Sequence, residues 1–324
     1  MISSTKKTFT IGIDLGGTSI KAGAVDNHGK ILSQYIADTK AHKGPSAVIQ
    51  QILFSVQEIL GKHKQSECRG IGIGAPGIVD LDSGFVKHPP NFSDWKEVAL
   101  AKAIRKVIPL PVFIENDANA AALAEVKYGI GIEHKNFLFV IWGSGVGGGI
   151  IMNQKIFRGP HGGAGEIGHI SIDYNGPECN CGSRGCIECY IGQRYLSERT
   201  RHILAAQPED SPPSLIPKLV DGNLSLIEPS IISTAAEQGD MAACDILREA
   251  GELLGYALAS VLNIIDLRVV VIGGGISGAP SFVFTAVESA IQSRVLKPLK
   301  PGIKVLRSNL GNNAGILGAA SLVM

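Results

Sequence analysis

No stretch of these 324 residues is apolar for long enough to cross a bilayer. The longest candidate, Ala257 to Ile276, is interrupted by Asp266 and Arg268, and a spanning helix needs about 20 consecutive apolar residues. The first residues, MISSTKKTFT, carry no apolar core of the kind that directs secretion. The six cysteines are therefore expected to be thiols in a reducing compartment, the cytoplasm, rather than disulfides. Net charge is also scarce: 30 Lys and Arg against 29 Asp and Glu leave +1. With no Lys/Arg run to neutralise a row of phosphates, neither nucleic acid nor a membrane is expected as a partner. The signature GxxxxGK[ST] is missing, which excludes a P-loop kinase. What is present is length and apolarity (45% hydrophobic) sufficient for two domains, and 40 glycines that fall in clusters.

The stretch EIGHISIDYNGPECNCGSRGCIE, from Glu166 to Glu188, carries the most chemistry. His169, Cys179, Cys181 and Cys186 are three thiols and an imidazole, and Gly176, Pro177, Gly182 and Gly185 supply tight turns between them. Four such ligands complete a tetrahedral Zn2+ site with no open position, the pattern of a structural metal. Cys189 competes for the fourth place. Glycines flank the approach to Cys186, which favours it, and Cys68, Cys189 and Cys244 are read as ordinary thiols.

The chain begins with apolar runs at Phe9 to Ile13 and Ile20 to Val25, then a turn at Asp26 to Gly29 into Lys30 to Ile36, an antiparallel three-stranded start. Asp14 ends the first strand, beside Gly16, Gly17 and Thr18. A carboxylate next to exposed backbone N–H groups and a hydroxyl suits a magnesium-bound phosphate tail, and suits a plain glycine hairpin equally well. Ser46 to Leu60 has helical spacing. RGIGIGAPG contains a formal GxGxxG at Gly72, Gly74 and Gly77, but Pro76 and the turn VDLDSG follow where a dinucleotide-binding helix would have to start. These glycines are read instead as letting a small ligand approach the backbone, and His88 to Trp95 as a solvated loop. Pro111 to Ile114 is a strand running into ENDANAAALAE, with Asn116 and Asp117 at the start of an Ala-rich helix. Asp117 is either a base for a hydroxyl nucleophile or simply the helix N-cap.

Asn136 to Trp142 leads through GSGVGGG to Ile150 to Met152, repeating the strand, glycine turn, strand layout of Asp14, with Ser144 in the place of Thr18. Downstream, Ile191 to Ala206 is expected to be helical, QPEDSPPSLIP a surface loop, and Ser233 to Ile265 long helical material. The strand Leu267 to Ile272 leads to GGGISG and a helix near Ser281 to Arg294. No acidic ribose ligand follows the next strand, Ile303 to Arg307, so the start of that helix is expected to face a nucleotide without being a Rossmann site. Ala314 to Met324 closes the chain as a helix.

Taken together, IGIDLGGTSIKAG, APGIVD, PNFSDW, IENDANAAALAE, GSGVGGGI, GAGEIGHI and CNCGSRGCIE resemble the ROK family of sugar kinases and regulators, in the family's order over nearly the whole chain. The resemblance implies a two-domain α/β fold of the actin-like, hexokinase-type (ribonuclease H-like) ATPase class with a structural zinc loop. Residues 1–117 plus 308–324 are expected to form the small domain and 118–307 the large one. It implies an ATP-dependent kinase for the 6-hydroxyl of a hexose, glucose first, with an N-acetylhexosamine kinase, a fructokinase or a non-catalytic sugar-sensing regulator as alternatives. Only eight residues precede Phe9, so the DNA-binding domain of the family's regulators is not expected here.

By the same resemblance Asp117 is the general base. Gly74, Gly77, Asn91, Asn116, Glu166, His169 and Glu188 lie about the sugar, His169 while also binding zinc. Asp14, Gly16, Gly17, Thr18, Ser144, Gly145, Gly147 and Gly148 hold the phosphates, with Asp14 toward Mg2+. Gly274 and Gly275 lie near the nucleotide, and a homodimer or larger homo-oligomer is implied. The chain departs from the usual pattern at Ser19, where Lys is common, at Ser144, where Thr is common, and at Trp142.

Overall fold

The computed structural model describes residues 8–90, 92–208 and 212–324. Its contacts divide the chain into two compact units. Unit 1 takes the residues up to Lys135, Gly149–Ala164 and Asn312–Met324; unit 2 takes Asn136–Gly148 and Gly165–Gly311.

In unit 1, β1 (Phe9–Leu15), β2 (Ser19–Asp26) and β3 (Ile31–Asp38) form the expected antiparallel meander. The Asp26 carboxylate accepts the N–H groups of His28 and Lys30, both at 2.9 Å, and so fixes the hairpin between β2 and β3. After α1 (Pro45–Leu60), β4 (Cys68–Ala75) pairs parallel with β1, and β5 (Val112–Asn116) parallel with β4, giving the order β3-β2-β1-β4-β5. Alternation along β1 and β4 sorts the two faces. Ile11, Ile13, Ile71 and Ile73 join Val48, Ile52, Val56 and Ile59 of α1 in one core.

On the opposite face lie Gly12 and Gly72. A Cβ there would fall 2.0 Å from Ile316 O and 1.8 Å from Ala319 O. These glycines thus admit the backbone of the C-terminal helix, Ala314–Ser321, and the reading of Gly72 as a point of ligand approach is corrected. The helix that follows β5, α2 (Asp117–Tyr128), buries five alanines.

The segment expected as turn and solvated loop is also more ordered than its composition suggests. Ile78–Asp80, Phe85–Lys87 and Glu97–Val98 form a small antiparallel sheet. Trp95 is buried, edge-on to Phe92, and its Nε1 donates to Val86 O at 3.0 Å. Satisfying its one polar atom is what lets the indole enter the core.

In unit 2, β6 (Phe137–Trp142) leads to β7 (Val146–Met152), which starts inside the glycine-rich turn and continues into unit 1. α3 (Glu188–Ile191) and α4 (Gln193–Ala205) follow the cysteine stretch. The expected long helix is two: α5 (Pro229–Glu237) and α6 (Met241–Ile265). Gly239 at φ 87° turns the chain between them, and the Asp240 carboxylate caps α6 by accepting Ala243 N at 2.9 Å. β8 (Val269–Gly273) lies between β6 and β9 (Lys304–Arg307), parallel to both, and α7 (Ser281–Arg294) connects β8 to β9. Among the described residues no helix is long and apolar enough to cross a membrane.

Candidate active site

Unit 1 brings Asp14, the first glycine turn, Gly74, Gly77, Asn116 and Asp117 to the same end of its sheet. Asp14 pairs with Gly74 across β1 and β4, and Ala75 with Asn116 across β4 and β5. Burial pushes the Asp14 carboxyl above its ordinary pKa, and the Lys21 charge opposite it on β2 works the other way. A cation would reverse the burial effect, because it favours the charged form. The turn after β1 closes with Gly16 N donating to Ser19 O at 3.0 Å, and Thr39 Oγ1 donating to Gly16 O at 2.7 Å. Gly17 and Thr18 are left exposed at its tip.

The start of α2 settles which residue caps it. Asn116 Oδ1 accepts the N–H groups of Ala118 (3.0 Å) and Asn119 (3.1 Å), so Asn116 is the N-cap and Asp117 is the first helical residue. Asn116 Nδ2 also donates to Gly77 O at 3.2 Å, which ties the turn after β4 to the helix start. Gly77 has φ 85°, and a Cβ there would meet Lys87 O at 2.7 Å. Gly74 packs directly beneath, with space for a Cβ only 3.5 Å from Asp117 Cα. Half-buried Asp117 accepts its neighbour's N–H, Ala118 N to Oδ1, at 2.8 Å. Asn91 lies outside the described residues.

Two residues that the sequence did not single out stand behind this group. Glu115, 2% exposed, accepts Asn116 N at 3.0 Å and Asn119 Nδ2 at 3.3 Å on Oε1. On Oε2 it accepts Arg158 Nε at 2.7 Å and a second guanidinium nitrogen at 2.6 Å. Glu115 stood in view as the first letter of END. Arg158 is 43 residues away and carried no local signal.

Unit 2 gathers the second glycine turn, Glu166, His169, Glu188 and the cysteines. Glu188, at the start of α3, accepts Val146 N at 2.9 Å, so its carboxylate sits against Gly145. Glu166 and His169 flank the short turn Ile167–His169. Desolvation pushes the Glu166 carboxyl upward; His169 works against it and the Glu188 charge adds to it. Ser144 is exposed at the tip of its turn, with Gly145 and Gly147 half-buried, whereas Gly148 is buried in β7, where a Cβ would meet Gly165 O at 2.6 Å.

Trp142, the unexpected residue beside that turn, is a buried strut whose Nε1 donates to Ile191 O at 2.9 Å. Gly274, φ 84°, packs on the Trp142 backbone, and Gly275 is exposed. A short 3-10 turn, Gly275–Gly278, and Pro280 separate these glycines from α7. The helix itself spans Ser281–Arg294, where the sequence predicts it.

The four expected metal ligands converge. One ligand atom from each of His169, Cys179, Cys181 and Cys186 lies within 4.8 Å of all the others. Cys181 Sγ and Cys186 Sγ are 3.7 Å apart, as are Cys179 Sγ and His169 Nδ1. A tetrahedron with metal–sulfur bonds of about 2.3 Å has edges of about 3.8 Å, so the donor set fits an ion at its centre.

Cys179 is shifted toward the thiolate that a metal takes. Burial works against ionising Cys179, but hydrogen bonds from the Cys181 backbone and from the Cys181, Cys186 and Cys189 thiols outweigh it and bring its pKa to about 7. Burial and that charge push Cys186 to about 12 and Cys189 to about 11. With Nδ1 among the sulfurs, Nε2 of His169 is the nitrogen left to donate outward.

The described residues thus carry a carboxylate at a helix start, two glycine turns and a loop that holds Glu166, Glu188 and three cysteines, and the chain as a whole is similar to known proteins. The ROK family model matches residues 10–324. The glucokinase of Thermotoga maritima is 35% identical over 317 residues, covering 98% of each chain. A ROK family glucokinase from Streptomyces griseus, solved in complex with glucose and AMPPNP, is 36% identical with a TM-score of 0.86, covering 97% of this chain and 98% of that one. The xylose repressor of Bacillus subtilis is 30% identical over 326 residues, spanning 100% of this chain and 79% of the repressor. A match of this extent, in fold and in sequence, makes the chain a member of the ROK family.

Proposed function

We propose that this chain is an ATP-dependent glucokinase, transferring the γ-phosphoryl group of ATP to the 6-hydroxyl of glucose. The observation that carries the mechanism is at residues 116 and 117: Asn116 is the N-cap of α2, and Asp117 stands as its first residue, half-buried, at the end of the sheet that also holds Asp14 and Gly74. Its carboxylate is assigned to orient the 6-hydroxyl and take its proton as the oxygen attacks, which a weak base at a helix start can do late in phosphoryl transfer. Asn116, Glu166, His169 and Glu188 are assigned to the sugar hydroxyls, with Gly74 and Gly77 beside them; Asn91 keeps that role by resemblance alone. Gly17 and Thr18 of the first turn and Ser144, Gly145 and Gly147 of the second are assigned to the phosphates, whereas Gly16 N is bonded to Ser19 O and Gly148 is buried, so these two shape the turns.

Mg2+ accompanying the nucleotide supplies charge neutralisation at the transferred group, and Asp14 is the carboxylate that would hold it. Zn2+ is assigned to His169, Cys179, Cys181 and Cys186 in a structural role, holding the loop that carries Glu166 and Glu188. Glucose is preferred over N-acetylhexosamines and fructose because the relatives named above are glucokinases. A cytoplasmic homodimer or larger homo-oligomer is the expected working form, which light scattering tests.

The test is ADP release with ATP and Mg2+ against glucose, N-acetylglucosamine, N-acetylmannosamine, mannose and fructose. Glucose is expected to give the highest kcat/KM, and Asp117→Ala to lower kcat by about 10²–10⁴-fold. An Asp117→Ala protein that keeps its rate sinks the mechanism. The similarity to a xylose repressor supports a second reading, a sugar sensor without turnover. Tight sugar binding with no ADP release on any sugar would establish it.

A further inference from the structure

We infer that Arg158 is a positioning residue for Asp117, acting through Glu115, and that the cavity beside it admits a free guanidinium in its place. The inference rests on the kinase reading above.

Glu115 is buried and its carboxylate divides its work. Oε2 takes two N–H groups from Arg158, and Oε1 takes the peptide N–H of Asn116 and the amide of Asn119. Those two donors frame Asp117: Asn116 precedes it and caps its helix, and Asn119 supplies one of the capped N–H groups. The Asn119 amide is turned toward Glu115 even though its own Oδ1, fully buried, finds no partner. The bond to the Glu115 carboxylate is therefore the contact that sets the orientation of this amide.

A buried carboxylate needs a counter-charge, and Arg158 is the cation that meets it. Without Arg158 the carboxylate loses the partner that holds Oε2, and the side chain swings toward water. That movement loosens the peptide of Asn116 and, with it, the placement of the base. The chain is one of direct contacts from guanidinium to carboxylate to peptide N–H, all within unit 1.

Arg158 and Glu115 line a cavity of about 320 Å³ with Phe113, Leu81, Arg105 and Leu322. The Arg158 side chain is 33% exposed, so the pair is reached from that side. Truncating the side chain to alanine enlarges a space already wide enough for methylguanidinium, a planar cation with the same fork of donors.

The experiment is Arg158→Ala with steady-state kinetics in both substrates, thermal melting, and methylguanidinium chloride titrated to tens of millimolar against equal sodium chloride. Misplacing a catalytic group by about 1 Å costs about 100-fold. The expected result is a kcat lower by that order, with KM for ATP within about threefold of the parent and any rise in KM for glucose smaller than the fall in kcat. Methylguanidinium should restore at least tenfold with saturation, and should raise the melting temperature of Arg158→Ala but not of the parent. A folded Arg158→Ala with parental kcat, or with a loss that methylguanidinium does not touch, overturns the inference. If Arg158→Ala does not fold, Arg158→Lys keeps the charge with a single donor group. A reduced kcat at a parental melting temperature then supports the inference, and an unchanged kcat overturns it. Failure of the kinase reading is seen separately, as a parent protein with no turnover on any sugar.

Discussion

Gly145→Ala separates sugar binding from folding. A Cβ on residue 145 would stand 2.3 Å from Glu188 Oε2, the oxygen that accepts Val146 N. The obstructing atom is the end of a flexible side chain, and residue 145 is not among the positive-φ positions, so the backbone accepts alanine and the carboxylate gives way. Ordinary contact requires the oxygen to retreat by about 1 Å, and a displaced catalytic-site group of that order costs about 100-fold. The charge-assisted bond it gives up is worth about 1.5–3 kcal/mol, or roughly 10- to 150-fold in an equilibrium.

On the role proposed for Glu188, KM for glucose is expected to rise about 10- to 100-fold. KM for ATP should move far less, and the melting temperature should stay within a few degrees. Gly168→Ala is the control, since its Cβ would fall 1.9 Å from Val146 O, a backbone atom that cannot swing aside. That variant is expected to lose the fold of the loop, by about 4 kcal/mol or more. The assay is initial-rate kinetics with each substrate varied, beside a thermal melt. A Gly145→Ala enzyme with parental KM for glucose refutes the assignment of Glu188, and a Gly168→Ala protein that melts like the parent refutes the packing argument.

Other consequences are as direct. Removing the metal with a strong chelator, or replacing Cys186 by Ser, is expected to strip one equivalent of zinc per chain, lower the melting temperature and raise KM for glucose. Elemental analysis before and after decides the first point, and a protein purified with no metal contradicts it. Asp240 accepts Ser214 Oγ at 2.6 Å, Leu215 N, and Ala243 N at 2.9 Å. Burial raises its pKa, but these bonds outweigh burial and hold the pKa below its ordinary 3.8. Its contribution is therefore present above about pH 4 and lost as pH falls through the folded-state value. Asp240→Ala should cost about 2–3 kcal/mol at pH 7, with the difference from the parent shrinking in denaturant melts below pH 4; a constant difference would contradict the sign. Gly72→Ala drives a Cβ to 1.8 Å from Ala319 O and is expected to displace the C-terminal helix, seen as lost soluble yield and early proteolysis near residue 314.

The zinc-type loop was legible because all its ligands lie within 18 residues of sequence and the turn residues between them are local chemistry; convergence needed only the backbone that Gly182 and Gly185, both at positive φ, provide. The break between α5 and α6 is equally local, Gly239 followed by a capping Asp240, but the apolar spacing from Leu247 to Leu262 lies wholly in α6 and does not mark where that helix begins. The cap of α2 was a closer contest. Asn116 and Asp117 are both good caps, and only the paired register of β5, which ends at Asn116, decides which side chain meets the free N–H groups. Glycines were ambiguous for a different reason. A missing Cβ says that something approaches, and Gly72 and Gly74 sit two residues apart on one strand, yet the first meets Ala319 O of the C-terminal helix and the second lies over the Asp117 backbone. Trp95, among prolines and polar residues, looked solvated because its partners Phe92 and Val86 O are supplied by a sheet too short to show a period. Least visible was Arg158. A salt bridge leaves no spacing rule when its ends are 43 residues apart, and a buried Glu115 reads as merely the first letter of a motif until its counter-ion is found. A family motif marks the groups that touch substrate, while the groups that keep those in place are set by tertiary charge pairing, and the structure is where they first become nameable.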